Sequence, residues 1–521
     1  MSFFAEAVEK IRRGETFFYR NIFFVAAVIL AVAISCGFMV WDRSVERDMV
    51  GYYEPMARAF AASDWDNAFV TGVPVLQPVL AGVLCRLFPA SASAALMFLG
   101  CAFFVLTVFP LYGICRRYFS GAWAGIGCCL FVLAPVVSKT SCVGILDAGK
   151  VFFLTACLCC VLRIMDRVFL RDYLLLAVSG AGLILIRGEG VLLFALLAAM
   201  VGVHALCTVD GRRGLRLLFC ACCAVAVLAL IAPRGVQMYR CTGVFAVEGR
   251  QVRMFHTVLG GPEGKGARNR EMRRERPDNT YYAVMEKEPD VFRFSVTDLL
   301  RDFSRGAFEV YLPFSLIGVF LVVRRRILLR QTVVLLSTVA ATVVIFASIC
   351  MAHRYFVSNV VCFMPFTLTA LSEGIRKLAL LEHPRRMTLL VAAAGIFAAL
   401  CLFDIGRAIY EGYNNIDLAI AQNCRSRFGG IPRIRYFSDE PRFAFFMQRR
   451  VYGLEYLPEA ASASAGPMLL YVRPRRLAWC REVLGGMASV EVRSLGMRRK
   501  KRNLILVNMD DGGIRKRGAE Q

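Results

Sequence analysis

Apolar runs long enough to cross a bilayer as helix, roughly 18 residues or more, recur along this chain. Candidate spans are 21–41, 93–115, 121–138, 146–165, 173–186, 188–206, 215–232, 309–323, 331–351, 355–374 and 387–404, about eleven in all. Lipid offers the backbone no hydrogen-bond partners, so a spanning segment must be a helix or part of a closed barrel. Barrel-type alternation is absent from the first four hundred residues, and the spans are therefore expected to be helical. Glycine and alanine are scattered through the runs, as close helix packing in lipid favours. At 57% hydrophobic residues over 521 positions, a water-soluble fold would lack polar surface. Residues 75–88 are apolar but short and contain Pro78, with Pro74 just before them. They read as a re-entrant or interfacial helix.

Arginine placement sets the orientation. With a cytoplasmic N-terminus, alternate loops should be basic. They are, at Arg116-Arg117, at Arg163, Arg167 and Arg171, at Arg212-Arg213 and Arg216, at Arg324–Arg326, and at Arg376-Lys377 and Arg385-Arg386. A full span at 75–88 would place every later basic loop on the wrong side. The pattern leaves 42–92, 138–146, 233–308 and everything after 404 outside, together with the turn at 187–188. The formal net charge of +24 is explained by these helix-end arginines meeting anionic lipid, and no nucleic-acid partner is expected. The N-terminal 1–20 segment is amphipathic and basic, and 21–41 is too long for a signal-peptide core, so it reads as a retained first helix.

Residues 405–521 change character. Short β-type runs at 433–437, 450–454, 467–472, 488–494 and 503–508 alternate with helical stretches such as 441–448 and 475–484. They predict a small outer α/β domain after a membrane domain of 1–404, whose outer loops are 42–92 and 233–308. Most of the twenty cysteines lie inside apolar runs, as small fillers rather than a disulfide framework. With four histidines and no CxxC pair in a polar loop, no metal site is expected.

Residues able to carry chemistry gather at the outer level. Glu46 and Asp48 flank Arg47 just past the first span, and Tyr53 and Arg58 follow. A carboxylate there can take a proton from an acceptor hydroxyl; it can equally cap the next helix. The corner Arg187-Gly188-Glu189-Gly190 lies between two apolar helices, where charge is costly. Arg187 suits a lipid phosphate, or an ion pair with Glu189. His353, Arg354 and Tyr355 stand at the outer end of a span, with Arg354 again a phosphate candidate. Asp147, with Lys150, opens another span, and the loop 233–308 carries a basic stretch at Arg268–Arg276.

This arrangement resembles the GT-C superfamily of membrane glycosyltransferases. The resemblance rests on Asp48 with Tyr52, Tyr53 and Ala57 after it, then Asp64-Trp65, the Pro74–Pro78 helix, outer Asp147, the Arg187-Gly188-Glu189-Gly190 corner and Arg354-Tyr355-Phe356. It is nearest the bacterial branch related to protein O-mannosyltransferases and the lipid A aminoarabinose transferase. The likeness implies a GT-C fold in a bacterial inner membrane, with the C-terminal domain periplasmic. It implies a polyprenyl-phosphate sugar as donor and a lipid, glycan or protein as acceptor, membrane lipids as surroundings, no firm cofactor, and a divalent metal left open but not expected. Asp48 would be the catalytic carboxylate, with Glu46 as the nearest second acid. Arg187, Arg354 and Arg58 would face the donor phosphate, and Tyr53, Asp147, Glu189, His353 and Tyr355 would line the substrate. The sequence departs from the family where adjacent acids are usual: Arg47 precedes Asp48 and Met49 follows it. A transporter or lipid flippase would instead show charges at the membrane midplane and two repeated halves, and neither is visible. A non-catalytic scaffold would not need the helix-end arginines.

Overall fold

A computed structural model describes residues 17–41, 46, 48–69, 73–208, 212–248, 296–349, 353–379 and 385–413. Toward the C-terminus it describes 420–422, 424, 426, 435–438, 451–452, 457, 467–472, 477–484, 490–495 and 502–507. The predicted N-terminal amphipathic segment up to residue 16, the basic stretch Arg268–Arg276 and the helix predicted at 441–448 lie outside these residues.

Among the described residues, each of the eleven apolar segments falls largely on helix. In chain order the elements are α1 (Phe17–Trp41), a π-helical turn (Met49–Tyr53), α2 (Glu54–Ala61), α3 (Trp65–Ala68), α4 (Leu76–Leu87), α5 (Ala92–Tyr118), α6 (Gly121–Leu133) and α7 (Pro135–Cys142). Then come α8 (Asp147–Asp166), α9 (Leu170–Ile186), α10 (Gly190–Cys207), α11 (Arg213–Thr242), α12 (Val296–Gly306), α13 (Tyr311–Arg324) and α14 (Leu329–Ile349). A 3-10 turn (His353–Phe356), α15 (Asn359–Ala379) and α16 (Arg385–Tyr413) complete the helical part. Among the described residues, six helices are long and apolar enough to cross a membrane, or up to eight if each of two bent pairs is one span. The protein is a multi-pass membrane protein.

That number is below eleven because several apolar segments are broken or short. The segment 121–138 bends by 62° between α6 and α7. Pro135 disfavours the helical region for the residue before it, and Ala134 is extended (φ −70°, ψ 110°). A second bend, of 87°, separates Leu299–Gly306 from α13. The span predicted from 355 begins at Asn359, because His353–Phe356 forms a turn of its own. Conversely, the outer loop predicted from 233 starts later: α11 runs through Pro233 to Thr242 and ends at Gly243, whose φ of 73° suits glycine. Helix α4 has 12 residues, about 18 Å of rise, too short to span.

Small residues let these helices touch backbone to backbone. A Cβ at Gly318 of α13 would collide with the carbonyl oxygen of Phe366 in α15, and nearby Ser315 and Thr367 share a hydrogen bond of 2.8 Å between buried hydroxyls. Gly318→Ala is expected to push the two helices apart and cost about 1–3 kcal/mol. A lower melting temperature of the detergent-purified variant is the check, and an unchanged one would refute the contact. Cysteines Cys128, Cys157 and Cys362 are fully buried free thiols within the same core.

The chain divides into two compact units. The first holds Met1–Asp42, Met56–Leu259 and Val291–Tyr410, and contains nearly all the helices. Among described residues the second comprises the short segment before Pro55 and the region after Glu411. Its sheet has the strands β1 (Arg435–Ser438), β2 (Val451–Tyr452), β3 (Met468–Val472), β4 (Val490–Leu495) and β5 (Arg502–Val507), in the order β2-β1-β3-β5-β4. β1 is parallel to β2 and β3, whereas β5 is antiparallel to β3 and β4. Every residue of central β3 is buried, as its unbroken apolar run Met-Leu-Leu-Tyr-Val requires of a strand covered on both faces. Phe437, Ile505 and, from α17 (Leu477–Val483), Cys480 pack with it.

Candidate active site

In the first unit, Asp147 and Lys150 stand three residues apart in the opening turn of α8, and so project from one face of that helix. Both are buried, at 3% and 2% exposure. A charge at such depth must be paired. Asp147 Oδ1 accepts from Arg187 Nη1 at 2.5 Å, and its Oδ2 lies 4.0 Å from Arg354 Nε. Lys150 Nζ donates to the carbonyl of Tyr355 at 3.0 Å and sits 3.9 Å from Glu189 Oε1. One helical turn therefore ties together the corner at 187–190 and the turn at 353–356.

The corner forms because Arg187 leaves the helical region (φ −158°, ψ 136°) and ends α9. Gly190 N–H then reaches Arg187 O at 2.9 Å, and α10 begins. Arg187 is held from both sides, with Nε 2.6 Å from Glu189 Oε1 and Nη1 on Asp147. Its guanidinium also lies over the Tyr355 ring, 4.6 Å from the centroid, while Arg354 approaches the same ring at 5.3 Å. The cations differ in access: side-chain exposure is 2% for Lys150, 8% for Arg187 and 27% for Arg354.

Glu248 completes the group. It is 3% exposed, and its Oε2 accepts the Gly188 N–H at 2.6 Å. A Cβ at position 188 would collide with that carboxylate, so the corner needs glycine there. Sequence reasoning missed Glu248 because it belongs to a long loop judged by its basic stretch; the signal was a lone acid five residues beyond the Gly243 stop. Arg234 anchors the same region, with Nε on Val247 O at 3.2 Å and Nη2 on Val73 O at 3.2 Å. The group thus carries three carboxylates (Asp147, Glu189, Glu248) among the cations Lys150, Arg187 and Arg354, with Arg234 beside them.

The structure brings together Asp147, Arg187, Glu189, Arg354 and Tyr355 from the residues expected to act. Arg58 is exposed in the last turn of α2. The side chain of His353 lies outside the described residues. Glu46, Asp48 and Tyr53 belong to the second unit. There Asp48 has helical backbone angles (φ −67°, ψ −33°) and makes no side-chain capping bond to the turn that follows. That turn, Met49–Tyr53, is π-helical, a geometry that recurs at functional sites. Tyr53 is buried, as is Glu54 directly after it. No group of three metal-ligating side chains occurs among the described residues.

No protein-family model matches this chain, and no curated protein is similar to it at a significant level. Solved structures are similar in fold. The apo structure of ArnT from Cupriavidus metallidurans superposes with a TM-score of 0.55 at 15% identity, over 93% of this chain and 97% of that one. ArnT bound to undecaprenyl phosphate gives the same score and identity over 95% and 99%. The oligosaccharyltransferase AglB from Archaeoglobus fulgidus, with an inhibitory peptide and a dolichol-phosphate, gives 0.53 at 13% identity over 87% and 70%. The fold of this chain is similar to the fold of ArnT and of the oligosaccharyltransferase AglB.

Proposed function

We propose that this protein is a glycosyltransferase that moves a sugar from a polyprenyl-phosphate carrier to a lipid, glycan or protein acceptor, at the periplasmic face of a bacterial inner membrane. The observation that carries this reading is the charged group built on the first turn of α8, with Arg354 its most exposed cation. It supports an anionic headgroup site, and the fold likeness to proteins captured with undecaprenyl phosphate and dolichol-phosphate supports a polyprenyl phosphate as the anion. The arrangement of buried charge also favours a transferase over a transporter. Asp147 and Lys150 open α8, Asp172 opens α9, and Arg187 and Glu189 sit at the corner that follows. A transport path would instead place such groups near the middle of spans.

The chemistry is a single displacement. The acceptor oxygen or nitrogen attacks the anomeric carbon as the bond from that carbon to the phosphate oxygen breaks, with inversion. The acceptor proton passes to Asp48, which by resemblance is the general base, with Glu46 beside it in sequence. Negative charge grows on the departing lipid phosphate, and Arg354 is the cation assigned to stabilise it. Arg187, gripped by two carboxylates, holds the Asp147 and Tyr355 neighbours of Arg354 in place. Tyr53 and His353 are assigned to substrate contact and Arg58 to the donor phosphate by resemblance.

The test is sugar transfer by detergent-purified protein from a panel of radiolabelled polyprenyl-phosphate sugars, in the presence of extracted envelope acceptors. Release of polyprenyl phosphate coupled to sugar incorporation is expected with at least one donor. A folded protein that releases none, and instead moves a labelled lipid across a vesicle membrane, would make it a flippase.

A further inference from the structure

The opposite, basic ends of the helices carry a second built feature, one that the transferase reading does not use. A cleft of about 630 Å³ opens between α6, the end of α13 and the last turns of α15, lined by Trp123, Arg325, Ser372, Glu373, Ile375 and Arg376. At its centre Glu373, with 10% side-chain exposure, receives two guanidinium groups. Arg325 places Nη2 3.0 Å from Oε1 and Nη1 3.2 Å from Oε2. Arg376 places Nη2 2.8 Å from Oε1 and Nε 3.2 Å from Oε2. These bonds leave Arg325 Nε and Arg376 Nη1 as further donors, on side chains 43% and 64% exposed. Two cations on one carboxylate leave the cleft with a net positive charge, and Arg324, Arg326 and Lys377 adjoin it in sequence.

The turn that presents Arg325 is itself strained. Arg326 (φ 52°) and Leu328 (φ 45°) both occupy the left-handed region without being glycine. Such angles cost about 1–2 kcal/mol per residue, and persist where the surroundings hold them. Trp123 forms another wall, partly buried against the helix core. An indole at a helix end marks the level of lipid headgroups.

We propose that this cleft binds the phosphate of an anionic phospholipid. The Glu373-braced guanidiniums take the phosphate through their remaining N–H groups, and Trp123 packs beside the glycerol. The depth marked by Trp123 favours a lipid as the source of that phosphate over a soluble phosphate compound.

The experiment uses protein in which Trp123 is the sole tryptophan (Trp41→Phe, Trp65→Phe, Trp479→Phe), reconstituted in phosphatidylcholine nanodiscs. Brominated phosphatidylglycerol and brominated phosphatidylcholine serve as quenchers at equal mole fraction. Phosphatidylglycerol is expected to occupy the site about fivefold in preference, the contribution of roughly one surface arginine. Arg376→Gln should abolish the preference, and Glu373→Gln, which adds net positive charge without removing either arginine, should raise it. Equal quenching by the two lipids overturns the proposal, as does a Glu373→Gln variant that loses the preference while keeping its melting temperature. Relief of phosphatidylglycerol quenching by millimolar inorganic phosphate would overturn the lipid source and leave a soluble phosphate site.

Discussion

Replacing Asp48 with asparagine is expected to lower sugar transfer at least about 100-fold, the usual contribution of a general base. The substitution keeps shape while removing the negative charge and the ability to accept a proton. A capping role alone would make asparagine nearly silent, since asparagine and aspartate cap about equally well. The backbone passes through Asp48 in helical conformation, which asparagine also adopts, and the melting curve of the variant is the control for folding. The loss should therefore fall on kcat, with donor binding unchanged. Single-turnover transfer from the labelled donor, alongside a melting curve, checks both halves. Full activity in Asp48→Asn would remove the base assignment. Activity that survives there and is lost in Glu46→Gln would move the role to the neighbouring acid.

The second large effect separates the two arginines that sequence reasoning treated alike. Arg187→Met withdraws the counter-charge between Asp147 and Glu189, both buried. Breaking such a pair from one side costs about 3–5 kcal/mol, and much of the population should fail to purify as folded monodisperse protein. Arg187→Lys would rescue only in part, because an ammonium cannot reach both carboxylates as Nε and Nη1 do. Arg354→Met should behave otherwise. Its side chain is 27% exposed, against 8% for Arg187, so its removal should cost less stability. Binding of undecaprenyl phosphate, followed as a ligand-dependent rise in melting temperature, should weaken about 10-fold or more, the value of a hydrogen bond to a charged group. A stable Arg187→Met variant that no longer binds the lipid would reverse these assignments.

How far the sequence reached follows from the range of each interaction. Helical spans were legible because the favourable free energy of burying apolar stretches in lipid depends on local composition. The strands of the C-terminal sheet were legible from short apolar runs, and central β3 shows no alternation because both its faces are covered. Boundaries failed where a single residue overrode the pattern. Pro135 bends one apolar segment in two, whereas Pro233 fails to end α11, which stops only where Gly243 can turn left-handed. Asp147, Arg187, Glu189, Arg354 and Tyr355 were each visible as charged or aromatic residues at helix ends.

By itself the sequence determined that this chain fills a membrane with helices, that short strands alternating with helices follow them, and that charge collects at helix ends. Local hydrophobicity and local charge decide those properties within some twenty residues. Only the tertiary structure decided which charges meet. Arg187 and Asp147 are 40 positions apart, Gly188 and Glu248 60, and Lys150 and Tyr355 205. Pairing over such separations depends on how helices pack, which in turn depends on small residues such as Gly318 admitting a neighbouring backbone. For the same reason Glu248 stayed hidden in its loop, and the two arginines looked equivalent until one proved buried between carboxylates and the other partly open.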